Sequence, residues 1–377
     1  MKTIGDFIGP DAVAAITQER PEQATGLPNA CYTDPDFLAL ENELLFARTW
    51  VAAGFAHQIP DPGDAVPVTA GGVPIILLRD QGGDIRAFQN VCRHRGTQLL
   101  AEPCKAAKAL TCPYHWWTYN LDGTVAHRPH FHGPDSHNDE PEHGLYPVRC
   151  GQWFDVIFVN IDGKAPPLDV HMKPFAERLG AYDFSTLRHG GTIKWEFAAN
   201  WKLVQENYME PYHVFAVHPR LEQWTPSNIH KFGHDGVCCI NGVSFDAPDK
   251  GRGGGMPVLP NLTEEQAHKG IYLHLFPSLD CGVWPDHVHT LTTTPLGPDH
   301  TYEEINLYFT EEAMAPEHEA AREAVFESWR ELNGEDVDVV ERLQKGRASP
   351  AFDGGMLAPY WDTVTHHFAK LMVEGMQ

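Results

Sequence analysis

The stretch that decides the fold runs from residue 92 to residue 115 and reads CRHRGTQLLAEPCKAAKALTCPYH. It contains two short motifs, CRH at 92–94 and CPYH at 112–115, with 17 residues between them. Each motif offers one thiolate and one imidazole. If two hairpin tips bring the motifs face to face, the donors suit a [2Fe–2S] cluster with both cysteines on one iron and both histidines on the other. The four predicted ligands are Cys92, His94, Cys112 and His115.

A structural zinc ion is the alternative for these donors, because a tetrahedral set of two cysteines and two histidines is also common around zinc. Zinc sites usually begin with two cysteines spaced roughly two to four residues apart. Both pairs here instead combine a cysteine with a histidine, and Tyr114, Trp116 and Trp117 lie close to the second pair. We favour the iron–sulfur interpretation, which iron content and a reddish-brown colour would distinguish from zinc.

The sequence around these motifs is organised in three parts. Short apolar segments separated by Gly, Asn and Asp turns predict an all-β domain. Before it, the apolar residues of 36–50 have helical spacing, and Asp34 and Pro35 mark a helix start. After it, helical and strand patterns alternate, which is typical of an α+β domain. The predicted parts are an N-terminal arm and helix (1–50), the all-β domain (51–166) and the α+β domain (167–377).

A second group of metal-binding side chains occurs in EPYHVFAVHP at 210–219. On a regular helix His213 lies about 60° from Glu210, but His218 lies about 140° from His213, too far for one face. A proline follows both Glu210 and His218, so a helix predicted over 201–217 can restart after the first and unwind at the second. Both imidazoles can then converge. Two histidines and a carboxylate form the facial triad of non-haem Fe(II) enzymes, although such a pair alone is more often two core histidines.

The carboxylate of this triad is predicted in GEDVDVVERLQ at 334–344. On a helix, Asp336 shares its face with valines and a leucine, whereas Asp338 shares its face with charged residues. An unpaired buried carboxylate is costly, and a metal ion would be a favourable partner for it. We therefore predict Asp336 as the third ligand and Asp338 as a solvated surface residue.

Composition excludes several classes of partner. The chain has 377 residues, with 28 Lys and Arg against 51 Asp and Glu, so its formal net charge is −23. Such a surface repels nucleic acid and anionic lipid, and neither is an expected partner. The eight cysteines are thinly spread and the N-terminus has no signal-like apolar run. We expect a cytoplasmic protein. The unusual feature of this composition is its 22 histidines, and histidine is the commonest metal ligand.

Taken together, the motifs resemble those of the Rieske non-haem iron oxygenases, of the ring-hydroxylating α-subunit type. The motifs that carry the resemblance are CRHRG at 92–96, CPYH at 112–115, NWK at 200–202, ENY at 206–208 and the histidine motif at 210–219. Within the family the chain is most similar to the members that act on carnitine, choline or glycine betaine, which can also carry Glu at the position of Glu210. Trp116, where the family usually has Gly or Ala, and Pro211 depart from the pattern.

The resemblance implies an α+β protein: an N-terminal all-β Rieske [2Fe–2S] domain, then an α+β catalytic domain with an antiparallel sheet and a mononuclear iron site, on which the N-terminal arm and helix pack. It implies a cluster held by Cys92, His94, Cys112 and His115, and Fe(II) held by His213, His218 and Asp336. Glu210 would be the electron-transfer bridge between subunits of a homotrimer. An NAD(P)H-dependent flavin/iron–sulfur reductase, with or without a ferredoxin, would supply electrons for O₂ activation.

The substrate is the least constrained part of the prediction. Aromatic faces hold quaternary ammonium groups by cation–π attraction, and they also stack on arenes. Our leading hypothesis is oxidation of a small quaternary amine, by N-demethylation or C–N cleavage, and the alternative is hydroxylation or dihydroxylation of an aromatic compound. The predicted pocket residues are Asn207, Tyr208, Phe215, Phe276 and Trp284.

Two other classes of protein compete with this interpretation. A cupin-like or zinc hydrolase could use the histidines of HVH at 287–289 or of HRPHFH at 127–132, but its further ligands have no recognisable counterpart. A non-catalytic electron carrier would keep the cluster motifs and would not need Glu210, His213, His218 and Asp336. Iron in excess of the cluster would decide against such a carrier.

Overall fold

The structure is a computed structural model that describes residues 2–131, 133, 143–245 and 255–377. The chain divides into two compact units, one of residues 46–168 and one that combines residues 1–45 with residues 169–377. In the described part of the chain, no helix has both the length and the apolar character that crossing a membrane requires.

The smaller unit is built from β-strands, as the turn-rich pattern predicts. Six strands form one sheet in the order β1-β9-β8-β4-β3-β2, and three short strands form another in the order β5-β6-β7. Strand β3 carries the run of Ile75 to Leu78, whose side chains are fully buried. The strands are β1 (Val51–Phe55), β2 (Ala65–Ala70), β3 (Val73–Arg79), β4 (Ile85–Gln89), β5 (Leu110–Thr111), β6 (Thr118–Tyr119), β7 (Val125–His127), β8 (Pro147–Trp153) and β9 (Val156–Asn160).

The larger unit contains a seven-stranded antiparallel sheet in the order β10-β16-β15-β14-β13-β12-β11. Its strands are β10 (Leu187–Phe197), β11 (Lys231–Asp235), β12 (Cys238–Ser244), β13 (Lys269–Leu275), β14 (Leu279–Val283), β15 (Val288–Gly297) and β16 (His300–Thr310). The α+β fold with an antiparallel sheet is therefore confirmed. Strands β11 and β14 are short, with five residues each, and their sequences carry weak alternation.

The larger unit also contains helices. Those in the first half of the chain are α1 (Ile4–Ile8), α2 (Pro10–Ile16), α3 (Ala30–Thr33), α4 (Pro35–Glu41) and α5 (Leu168–Leu179). The later ones are α6 (Trp201–Met209), α7 (Val214–Val217), α8 (Pro219–Trp224), α9 (Glu264–Ala267), α10 (Glu319–Gly346) and α11 (Thr363–Gly375). The long helix α10 packs Val325 and Trp329 against Ile305, Leu307 and Phe309 of β16. One face of α10 is therefore packed against the apolar face of the sheet.

The predicted helix over 36–50 is shorter than its periodicity suggests. Asp34 caps it by accepting a hydrogen bond from the Asp36 amide, and Pro35 occupies the first position. The α-helix ends at Glu41 and continues as a π-helical turn to Phe46. Strand β1 begins five residues later, so Trp50 lies in the connection and not in the helix.

Candidate functional site

The helix predicted over 201–217 is interrupted where its prolines fall. Helix α6 ends at Met209, and Glu210 has extended backbone (φ −101°, ψ 138°) because it precedes a proline. Helix α7 begins at Val214, and His218 again leaves helical geometry (φ −116°, ψ 71°) before Pro219 starts α8. The predicted restart after Glu210 and unwinding at His218 are confirmed. The two breaks turn both histidine side chains toward one point.

Three side chains converge at that point. The Nε2 atoms of His213 and His218 lie 3.2 Å apart. Oδ1 of Asp336, on α10, lies 3.1 Å from Nε2 of His218 and 3.7 Å from Nε2 of His213. Among the described residues, this is the only group of three or more histidine, cysteine or acidic side chains close enough to share one metal ion. His218 is buried, and the other two side chains are nearly so.

A carboxylate holds the far nitrogen of each histidine. Oε1 of Glu210 lies 2.7 Å from Nδ1 of His213, and Oε2 of Glu335 lies 2.7 Å from Nδ1 of His218. These contacts fix the Nδ1–H tautomer in both rings. Each Nε2 then carries a lone pair, and both lone pairs point at each other and at the Asp336 carboxylate. Three acceptors at this spacing repel one another unless a proton or a metal ion lies between them. Two imidazoles and one carboxylate are a donor set that fits a divalent metal ion.

Further contacts shape this group. The Asn207 side chain donates a hydrogen bond of 3.2 Å from Nδ2 to Oδ1 of Asp336. Burial lowers the pKa of His213, but the hydrogen bond and charge of Glu210, with the charge of Asp336, more than offset this and raise it above its ordinary value. Asp338, two residues after Asp336, is two-thirds exposed and pairs with Arg342 at 2.9 Å.

A cavity opens beside the three donors and encloses about 680 Å³ of empty space, its open mouth included. Asn207 and Tyr208 line the cavity, as predicted. Its other aromatic and acidic lining residues are Phe197, Tyr272, Trp329, Glu303 and Glu210.

Three of the predicted pocket residues lie elsewhere, which corrects the sequence interpretation. Phe215 is on the outer face of the short helix α7 and is 55% exposed. Phe276 packs its ring against Phe368 of α11. Trp284 is buried in a separate cluster, stacked on Phe245. None of the three lines the cavity, because the side-chain directions depend on sheet register and helix breaks that aromatic composition does not specify.

The histidines of the competing hydrolase interpretation have other partners. Nδ1 of His287 lies 2.7 Å from Asp286, and its Nε2 accepts a hydrogen bond of 3.4 Å from Trp329. Nε2 of His289 lies 2.9 Å from the Tyr208 hydroxyl. In the described ranges these two histidines join no metal-binding group. Of the other run, His132 lies outside the described residues.

The cluster motifs occupy two loops of the smaller unit that share one backbone pattern. In the first loop the Cys92 amide donates to the Thr97 carbonyl, and the Gly96 amide donates to the Cys92 carbonyl. In the second loop the Cys112 amide donates to Trp117, and the Trp116 amide donates to Cys112. The residue four places after each cysteine has left-handed backbone, with φ of 75° at Gly96 and 59° at Trp116.

The donors of these loops separate into a sulfur pair and an imidazole pair. Cys92 and Cys112 are buried and interact through their side chains. His94 and His115 are exposed, with ring centroids 4.6 Å apart. The Tyr119 hydroxyl lies 3.3 Å from Sγ of Cys92. The separation into a sulfur pair and an imidazole pair is the donor arrangement of a [2Fe–2S] cluster with both cysteines on one iron and both histidines on the other.

Sequence reasoning missed two carboxylates of the larger unit. Glu335 was missed because its neighbour Asp336 already completed the facial triad. Both acids directly precede the valines at 337, 339 and 340. Glu303 lines the cavity from β16, and the signal for it was available. In YEEINLYF at 302–309, strand alternation places Glu303 on the same side as Ile305, Leu307 and Phe309.

Comparisons with known proteins agree with this geometry. Residues 184–377 match the family described as ring hydroxylating alpha subunit (catalytic domain), and residues 49–138 match the Rieske [2Fe-2S] domain. The carnitine monooxygenase oxygenase subunit of Acinetobacter baumannii is 26% identical over 346 residues, which is 89% of this chain and 88% of that protein. The glycine betaine monooxygenase oxygenase subunit of Chromohalobacter salexigens is 36% identical over 211 residues, 56% of this chain and 47% of that protein.

Solved structures show the same fold. The quaternary ammonium Rieske monooxygenase CntA, in complex with an inhibitor, is 23% identical with a TM-score of 0.81, covering 97% of this chain and 98% of that chain. Naphthalene 1,2-dioxygenase from Rhodococcus sp. is 20% identical with a TM-score of 0.74, covering 93% and 94%.

Proposed function

The chain belongs to the ring-hydroxylating oxygenase α-subunit family with a Rieske domain, and from that premise we propose that it oxidises a small quaternary amine by N-demethylation or C–N cleavage. As a member of this family it is an oxidoreductase that incorporates oxygen from O₂, and it uses a [2Fe–2S] cluster and a mononuclear iron. The observation that carries the proposal is the convergence of His213, His218 and Asp336 at an aromatic cavity that also contains a buried carboxylate.

The proposed metal ligands follow from the two donor sets. Cys92, Cys112, His94 and His115 would hold the cluster, and His213, His218 and Asp336 would hold Fe(II). When bound, the cluster supplies electrons one at a time and the iron activates O₂. The proposed domain limits remain an arm and helix at 1–50, the Rieske domain at 51–166 and the catalytic domain at 167–377.

The protein's own groups position the proposed iron ligands. Glu210 and Glu335 each accept the Nδ1 proton of one histidine, which orients both Nε2 lone pairs toward the metal position. Asn207 donates to Oδ1 of Asp336 and restricts the rotation of that carboxylate. The apolar walls of the cavity limit the access of water to the substrate.

We propose that Glu210 is the bridge through which the iron site receives electrons from the cluster of a neighbouring subunit. Glu210 lies between two cavities: it lines the one that holds the proposed iron ligands and a second one of about 1130 Å³ of empty space. Oε1 of Glu210 binds Nδ1 of His213, and Oε2 accepts hydrogen bonds from the backbone amides of Tyr212 and His213. The carboxylate is still 17% exposed, and a histidine of another subunit would approach it on that exposed part. This arrangement requires a ring, and a homotrimer is the proposed assembly.

The proposed electron source is an NAD(P)H-dependent flavin/iron–sulfur reductase, acting directly or through a ferredoxin, in the cytoplasm. The strongly acidic surface of the chain would attract a basic face of that partner. Salt would then weaken the interaction, because screening acts on exposed charges. Neither nucleic acid nor a membrane is an expected partner.

The relatives support a quaternary amine as substrate, since those reported above are named for carnitine and glycine betaine. The cavity is consistent with this, because aromatic walls attract quaternary ammonium groups. The second candidate is hydroxylation or dihydroxylation of an arene, as in aromatic hydrocarbon catabolism. The same aromatic walls can stack on an arene, which is the observation that favours it.

A substrate-library screen tests the proposed function. The reconstituted enzyme, with a surrogate reductase, is incubated with carnitine, choline, glycine betaine and a panel of benzoate-like acids, and products are identified by mass spectrometry. We expect demethylated or cleaved products from one or more of the amines. Turnover of benzoate-like acids without turnover of the amines would replace the leading proposal with arene oxidation.

A further inference from the structure

A glutamate lies on the apolar face of the central sheet. Glu303 is on β16, whose alternation turns it to the same side as Ile305 and Leu307, under helix α10. Its residue exposure is 3%, and it lines the cavity beside the proposed iron ligands. Charged residues are almost never fully buried unless they are paired, so a partner for this carboxylate must be sought.

The protein supplies only a weak partner. The Asn333 amide on α10 donates a hydrogen bond to Oε1 of Glu303. In the described ranges, no lysine, arginine or histidine forms an ion pair with Glu303. Glu41, an equally buried acid, differs because Nζ of Lys202 lies 2.6 Å from its carboxylate. Glu303 therefore has a hydrogen-bond donor but no counter-ion.

The charge balance around Glu303 favours the arrival of a cation. The pKa of Glu303 is raised to about 8. Burial is the largest cause, the Asn333 hydrogen bond partly offsets it, and the charges of Asp280 and Asp336 add to the rise. A cation in the cavity would stabilise the ionised form and relieve this cost. A neutral arene would not stabilise the ionised carboxylate.

The walls of the same cavity suit one particular kind of cation. Tyr208, Tyr272 and Trp329 line it together with Glu303. Two of these rings are held in place, because the Tyr208 hydroxyl lies 2.9 Å from His289 and the Trp329 indole donates to His287. Rigid aromatic faces attract a quaternary ammonium group, which has no N–H and cannot use hydrogen-bond acceptors. A carboxylate among such aromatic faces attracts this cation by its charge and does not need an N–H donor from it.

We propose that Glu303 is a specificity-determining residue: the counter-ion that selects a quaternary ammonium substrate over a neutral molecule of the same shape. This inference rests on the proposed function and deepens it. Asn333 would keep the carboxylate oriented toward the cavity, and the aromatic rings would contact the methyl groups.

The test combines one variant, one matched control and paired ligands. Glu303→Gln keeps the shape and removes the charge. The control is Glu304→Gln, because Glu304 is also buried on β16 but faces away and contacts the Tyr302 hydroxyl at 2.9 Å. The ligands are choline, glycine betaine and carnitine, each paired with its carbon isostere, in which a tert-butyl group replaces the trimethylammonium group. Affinities are measured by calorimetry on the metal-loaded protein, and KM and kcat with a surrogate reductase.

We expect Glu303→Gln to raise the Kd and KM of the cationic ligand about 10- to 100-fold. Affinity for the isostere should be unchanged or improved, and kcat at saturation should change much less than KM. Glu304→Gln should keep the preference of the native protein for the cation. Glu303→Gln keeps the oxygen that accepts the Asn333 hydrogen bond and removes a group whose charged form burial disfavours, so the Tm should not fall.

Two failures are distinguishable. If the native protein turns over the amines and Glu303→Gln weakens cation and isostere equally, or neither, Glu303 is not the counter-ion and only this inference falls. If the native protein binds and turns over none of the amines but oxidises arenes, the proposed function falls, and the inference falls with it.

Discussion

The proposed cluster ligands and the proposed iron ligands are positioned in different ways. The cluster ligands come from two loops within residues 92–115, and backbone hydrogen bonds define both loops. The iron ligands come from distant segments, and carboxylate side chains orient them; His218 and Glu335 meet although they are 117 positions apart. A backbone-built site is sensitive to changes of conformation, whereas a side-chain-built site is sensitive to loss of a single functional group. The predictions below test this difference.

The largest expected effect comes from removing a ligand, because the two sites share no residue. His213→Ala should lower the iron content by one atom per chain and reduce turnover about a thousandfold or more, while the visible spectrum of the cluster is unchanged. Cys112→Ser should abolish the visible spectrum of the cluster and leave the mononuclear iron bound. Metal analysis and absorbance check both variants. Loss of the cluster spectrum in His213→Ala would show that the sites depend on each other.

Glu210→Gln should give the next largest effect without loss of metal. The amide keeps the shape of the bridge, but it removes the charge that the proposed electron path uses and weakens the hold on His213. We expect both metal sites to be filled while turnover falls about a hundredfold. Stopped-flow reoxidation of the reduced cluster in the presence of substrate measures the step directly. Near-normal turnover would remove Glu210 from the electron path.

Glu335→Gln should have a smaller effect of a different kind. Its carboxylate orients His218 and has no proposed place in the electron path. Loss of such a partner typically weakens metal affinity about 10- to 100-fold, so turnover should recover when Fe(II) is added. Asp338→Asn, an exposed position on the same helix that pairs with Arg342, is the matched control. A defect that excess Fe(II) does not restore would place Glu335 in the reaction itself.

The contrast between the two regions also explains what could be predicted from the sequence. The cluster motifs are local, so their residue types and spacing specify the donors. The break at Glu210 was predictable because proline restricts the residue before it. The inward position of Asp336 followed from helical periodicity. These inferences depend only on residues that are close together in the sequence.

The residues that the sequence did not reveal depend on distant contacts. Glu335 meets His218 only after α10 has packed on the sheet. Strand alternation places Glu303 on the apolar side of β16, but that this side lines the cavity depends on the pairing of β16 with β10 and β15. The pocket prediction failed at Phe215, Phe276 and Trp284 for the same reason. An aromatic residue can pack in the core, on the surface or in a cavity, and composition does not choose among them.

The smallest expected effects test the backbone argument within the cluster region, where the two loops offer a matched pair. Gly96 and Trp116 occupy equivalent positions with φ of 75° and 59°. A non-glycine residue in this conformation costs roughly 1–2 kcal/mol. A Cβ at Gly96 would meet its nearest neighbour, Val91, at 4.0 Å, so a substitution there tests conformation and not space.

Gly96→Ala should therefore destabilise the smaller unit by about 1 kcal/mol, and Trp116→Gly should stabilise it by about half as much. The gain at Trp116 is smaller because glycine raises the entropy of the unfolded chain, while little burial is lost from a side chain that is 69% exposed. Thermal loss of the cluster absorbance measures both variants, and Trp117→Gly is a contrasting control, since Trp117 is buried and stacks on His94. If Trp116→Gly destabilises as strongly as Trp117→Gly, the exposed indole contributes packing in the native assembly that outweighs its backbone strain, and the two loops are not energetically equivalent.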